Sequence, residues 1–148
     1  MAFPSRDRNS SAAYRFARAQ DAVTTVKNRL SGVIDKMAAT RMSATNFTAI
    51  SVELAAMKAE LQAMLAISGI ADYTTKEHGI DLTVEASALI AKANEVQAAI
   101  ALLLPTNAQG WLTIVKFDTD GSLAWRNFSV AEMEPVRLKL VELLDIIE

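Results

Sequence analysis

Three stretches of this chain repeat apolar residues at alternating spacings of three and four. That rhythm leaves little choice of local structure. The first stretch carries Phe16, Ala19, Val23, Val26, Leu30, Val33 and Met37. The second carries Phe47, Ile50, Leu54, Met57, Leu61 and Met64, and the third Leu82, Ala86, Leu89, Ala93, Val96, Ile100 and Leu103. A repeat averaging 3.5 residues keeps every apolar side chain on one helix face. Three such seams in succession favour near-parallel packing at shallow crossing angles.

Punctuation residues bound these helices. Asn9, Ser10 and Ser11 offer N-cap oxygens ahead of a first helix running to about Ala39. The second helix opens near Ser43 to Asn46 and stops at Gly69, which suits a left-handed position with Ile70 behind it. Asp81 is placed to cap the third, which stops before Pro105. The short connection at residues 38–45 makes the first two helices antiparallel. The connection at residues 68–81 is long and polar, with Tyr73, Lys76, Glu77 and His78, and reads as a mobile surface loop. Gly32, inside the first helix, marks a close contact, a bend, or nothing.

The period changes after Pro105. Trp111-Leu-Thr-Ile-Val-Lys-Phe117 and Ser122-Leu-Ala-Trp-Arg-Asn-Phe128 flank Asp118-Thr-Asp-Gly121. Aromatic and β-branched residues on both sides of an Asp-Gly pair predict a hairpin with strands Leu112–Phe117 and Leu123–Phe128. Ser129-Val-Ala-Glu132 is a capping box, with Phe128 and Met133 at the two positions of a hydrophobic staple. Pro135 then predicts a kink or a restart. Val136, Leu138, Leu140, Val141, Leu143, Leu144, Ile146 and Ile147 make the last helix apolar on more than one side. The fold class expected is mainly α: a helical bundle with coiled-coil-like seams, plus a C-terminal β-hairpin and terminal helix. Residues 1–104 form a three-helix region, and residues 105–148 the hairpin with the terminal helix packed on it.

The chain has 148 residues, no cysteine and a single histidine. Thiolate chemistry, disulfides and histidine-rich metal sites are therefore excluded. His78 beside Glu77 reads as a solvated loop histidine with no catalytic role. Asp118, Asp120 and Gly121 resemble the start of a calcium loop but lack its remaining ligands, so a hairpin turn accounts for them better. Glu53 and Glu60 lie a heptad apart without Glu-x-x-His partners, and read as an exposed face rather than a di-iron site. No phosphate loop or nucleophile elbow is present. We expect no enzymatic activity, no cofactor and no metal.

The net charge of −2 gives no reason to expect a nucleic-acid partner. The first 45 residues carry a net +5 and the remainder −7. Such asymmetry pairs segments within a chain or between subunits. The apolar stretch from Leu82 to Leu104 is interrupted by Glu85, Lys92, Asn94 and Glu95, so neither a membrane partner nor a span is expected. Residues 1–11 contain no apolar run of the export type. Trp111, Trp125, Phe128, Leu138, Val141, Leu144 and Ile147 are the candidate interface residues, because aromatic anchors and surplus apolar helix positions need covering.

Gly69-Ile-Ala-Asp-Tyr73, Asn107-Ala-Gln-Gly-Trp-Leu112, Phe117-Asp-Thr-Asp-Gly121 and Arg126-Asn-Phe-Ser129 together resemble small virion-associated proteins of tailed bacteriophages. The order helix, hairpin, helix in residues 82–148 is similar to that of the head–tail joining proteins of long-tailed phages. The chain departs from these by about 80 further residues ahead of that unit and a less basic C-terminal part. The resemblance implies a non-enzymatic structural component of a tail, connector or baseplate, made in the host cytoplasm and carried in the virion. Its partners would be its own copies and other phage structural proteins. The alternatives are a cytoplasmic helical adaptor or assembly chaperone, and a small-ligand-binding bundle.

Overall fold

The computed structural model describes residues 3–103 and 127–147, with side chains for 11–103 and 128–147. These residues are mainly helical. In chain order they form α1 (Phe3–Ala39), β1 (Met42–Ser43), α2 (Ala44–Leu65), α3 (Ile70–His78), α4 (Thr83–Leu103), β2 (Asn127–Phe128) and α5 (Val130–Ile147).

The four long helices contact one another in a closed ring: α1 on α2, α2 on α4, α4 on α5, and α5 back on α1. Cross-helix pairs fix their directions. Arg18 meets Glu60 while Arg29 meets Glu53, so α1 and α2 run antiparallel. Lys58 meets Asn94 while Gln97 reaches the Ser51 carbonyl, so α2 and α4 do too. Lys92 meets Glu142 while Lys139 meets Glu95, which makes α4 and α5 antiparallel. The end of α5 (Ile146 and Ile147) lies beside Phe16 and Ala19, in the first half of α1.

The core is built from the periodic residues. Phe47, Ile50, Leu54, Met57, Leu61 and Met64 are all buried, as are Ala86, Leu89, Ala93, Val96 and Ile100. From α1, Ala19, Val26, Leu30 and Met37 are buried, while Phe16, Val23 and Val33 are half-buried. From α5, Met133, Val136, Leu140 and Leu143 complete it. An α5 packed on both α1 and α4 covers much of its apolar breadth and leaves Leu138 exposed. α4 has the length and mean hydropathy (1.2) of a bilayer-crossing helix. Of that apolar window 28% is buried inside the protein, and its Lys92 and Glu95 pair with Glu142 and Lys139 of α5.

Two local expectations are corrected and a third is narrowed. α1 is helical from Phe3, so its backbone runs through Asn9–Ser11 rather than starting there. Residues 70–78 of the expected loop are a helix: α2 stops at Leu65 and the chain turns by 99° into α3. Gly69 does take the left-handed conformation (φ 79°), but as the entry to α3, and Gly79 (φ 82°) closes it by donating to the Thr75 carbonyl at 2.9 Å. Buried Thr74 fixes α3 in place: its hydroxyl donates to the Ala71 carbonyl and accepts the Leu82 N–H. Of the two outcomes expected at Pro135, the restart does not occur, since α5 runs through it. Pro135 has no N–H to bond one turn back, and its ring crowds the carbonyl there.

The expected strand Leu112–Phe117 and most of Leu123–Phe128 lie outside the described residues, as do Asp118, Asp120 and Gly121. The end of the second strand is described, and it pairs with β1: Met42 opposite Phe128 and Ser43 opposite Asn127, antiparallel. No hairpin occurs among the described residues. The capping box is present as read. Glu132 donates its N–H to Ser129 Oγ (3.2 Å), and Ser129 donates its N–H to Glu132 Oε1 (3.0 Å).

Gly32 marks no close contact, since a Cβ added there meets nothing within 4 Å. Its cost is then purely the backbone freedom lost in an exposed helix interior. Gly32→Ala is expected to stabilise the protein by about 0.5–1 kcal/mol, read as a higher urea midpoint at unchanged slope.

Candidate functional site

Among the described residues, nothing in the core converges polar groups on one point, so the candidate surfaces must be built from the outside of the helices and from their ends. On α5, Met133, Val136, Leu140 and Leu143 point inward. Leu138 lies two positions before Leu140, about 200° round the helix, and is 49% exposed. Val141 and Leu144 are half-buried on the shoulder between the two faces, and Ile147 is half-buried at the end of the helix.

Phe128 is placed differently from the expectation of an interface anchor. It is fully buried in its own chain, edge-on to Phe47 with ring centroids 5.6 Å apart. The capping box explains this: it fixes the chain's entry into α5, and the staple positions Phe128 and Met133 both end in the core. Trp111 and Trp125 lie outside the described residues. The sequence reading missed other exposed apolar side chains, namely Val52, Ile80, Val84 and Leu102, the last 90% exposed. For Val52, Val84 and Leu102 the signal was available, since each stands off the 3–4 seam of its segment.

The charge asymmetry is spent partly within the chain. Arg18 Nε lies 2.8 Å from Glu60 Oε2, and Arg29 Nε 2.6 Å from Glu53 Oε1. Glu53 and Glu60 are thus not a free exposed face; they tie α2 to α1. Glu53 Oε2 is buried without a hydrogen-bond partner among the described residues. On the opposite side, Lys92 and Lys139 alternate with Glu95 and Glu142 across the α4–α5 seam, at 2.8–3.5 Å. The Lys139 ammonium, followed by that of Lys92, holds the Glu95 carboxyl below its ordinary range. Lys92 does the same for Glu142.

The sign of the pH effect follows. A carboxyl whose pKa is depressed by folding contributes stability above its unfolded value and loses it as pH falls through the folded one. Acid is therefore expected to loosen the α4–α5 seam once the pH drops below the ordinary glutamate range. The groups are solvent-facing, so high salt should also weaken the contribution. Melting temperature against pH, for the native chain and for Glu95→Gln with Glu142→Gln, checks this. The double variant should show a shallower acid limb.

All four long helices meet at a cleft of about 160 Å³ at one end of the ring. Its walls are Phe16, Ala19 and Val23 of α1, Leu61 and Met64 of α2, Ala86 and Leu89 of α4, and Ile146 and Ile147 of α5, with Leu82 just before α4. Two polar side chains, Gln20 and Glu85, join the lining. α3 flanks this end: the His78 ring stacks on Phe16 at 4.5 Å and Tyr73 meets Phe16 edge-on at 6.1 Å. His78 is thus exposed, as read, but it stands in the last turn of α3 rather than in a loop, with one ring face on half-buried Phe16. Among the described residues, no group of three or more His, Asp or Glu could hold a metal ion.

Comparison with protein-family models, with curated protein sequences and with solved structures finds no match to this chain. The functional reading therefore rests on the geometry and on the motifs in the sequence.

Proposed function

We propose that the chain is a non-enzymatic structural or assembly component of a phage particle, in a tail, connector or baseplate. It would act through homo-oligomeric and protein–protein contacts, with its four long helices forming a bundle with coiled-coil-like seams. The observation that carries this reading is Leu138. Leu138 is half exposed on the back of a helix whose front is buried, and half-buried Val141 beside it extends an apolar strip that a neighbouring molecule would cover. Val52, Val84 and Leu102 add exposed apolar positions on α2 and α4. The resemblance of the turn and cap motifs to virion-associated proteins supplies the biological setting.

Because Arg18 and Arg29 are already paired inside the chain, the charge asymmetry contributes less to subunit contacts than the bare sequence implies. Self-association is then driven mainly by apolar surface. Sedimentation equilibrium of the purified chain tests this: oligomers that persist in high salt are expected. A monomer at high micromolar concentration in both low and high salt would remove the homo-oligomeric part of the reading.

A further inference from the structure

We propose that the cleft at the α3 end of the ring binds a small organic cation bearing a single apolar group of about six carbons. This is a ligand site that the assembly reading does not require. Three observations converge on that chemistry. The size is right: an apolar cavity of about 150 Å³ in a helical protein takes up one benzene ring, and this cleft measures about 160 Å³. The walls are right, since each long helix contributes apolar side chains and only Gln20 and Glu85 bring polar groups.

The charge is the third. Glu85 is exposed at the cleft and has no hydrogen-bond or ion-pair partner among the described residues. The C-terminal ends of α2 and α5 reach the same cleft through Met64 and through Ile146 and Ile147. Helix C-termini favour cations. The α4 N-terminus brings the opposite sign, but Glu85 stands in its first turn and offsets it. An ammonium at the mouth would thus meet a carboxylate and two electronegative helix ends, with its apolar group against Phe16, Leu61 and Leu89. A carboxylate ligand of the same size would meet repulsion.

Isothermal titration of the full chain uses n-hexylammonium, 1-hexanol and hexanoate as probes. Saturable binding of hexylammonium is expected, about five- to tenfold tighter than hexanol, with hexanoate weakest. Glu85→Gln, at an exposed position, should leave hexanol binding unchanged and bring hexylammonium down to its level. Ala86→Met should fill the cleft and weaken both. If that variant does not fold, the Glu85→Gln comparison still decides. Absence of saturable binding by all three probes would overturn the proposal. So would hexanoate binding as tightly as the amine, or an amine preference that survives Glu85→Gln.

Discussion

Phe128→Ala is expected to destabilise the protein by about 3–5 kcal/mol, the range for removing a buried aromatic ring. The residue is fully buried, its ring stands edge-on to Phe47, and its backbone pairs with Met42. Truncation would open a cavity where β1, β2 and the starts of α2 and α5 meet. It would also strip the staple from the capping box, leaving Ser129 and Glu132 to fix the helix entry without an apolar clamp. Urea denaturation gives the measurement: the midpoint should fall sharply at nearly constant slope. Ser129→Ala, which removes only the capping hydroxyl, should cost about 1 kcal/mol. A loss below about 1 kcal/mol for Phe128→Ala would mean that this aromatic pair does not anchor α5 to α2.

Leu138→Arg is expected to do the reverse. The side chain is half exposed and lies opposite the buried face of α5, so stability should change by no more than about 0.5 kcal/mol. Association should suffer badly. An arginine placed in the middle of an apolar contact loses its hydration without a designed partner, and at least tenfold weaker self-association or partner binding is expected. Sedimentation and denaturation of the same preparation separate the two effects. Normal association by folded Leu138→Arg would remove α5 from the list of contact surfaces and shift attention to Val52, Val84 and Leu102.

Most of the fold was legible because burial and periodicity coincide. Every apolar seam residue of α2 from Phe47 to Met64 is buried, and the Ser129–Glu132 box forms with the expected donors and acceptors. α3 was not read as a helix because nine residues are too few for a period to emerge. Its end signals were nonetheless written in the chain: Asp72 in the first turn, Lys76 and His78 in the last, and Gly79 behind them. Phe128 was misplaced for a different reason. An aromatic at the end of a strand has the same sequence signature whether it faces a partner or its own core. Only the partner of β2, which is β1, decides between them. The cleft was illegible for a third reason: its walls come from Phe16, Leu61, Leu89 and Ile146, which only the antiparallel ring brings together.

The central claim, that the chain is a component of a phage particle, is tested most directly by quantitative mass spectrometry of purified virions from the host that expresses it. The account predicts its peptides in intact particles, at a ratio to the major tail or head protein that stays constant through density-gradient fractions. Peptides confined to the cell lysate and absent from particles that are otherwise complete would contradict it, and would point instead to an adaptor or chaperone that leaves before the particle is finished.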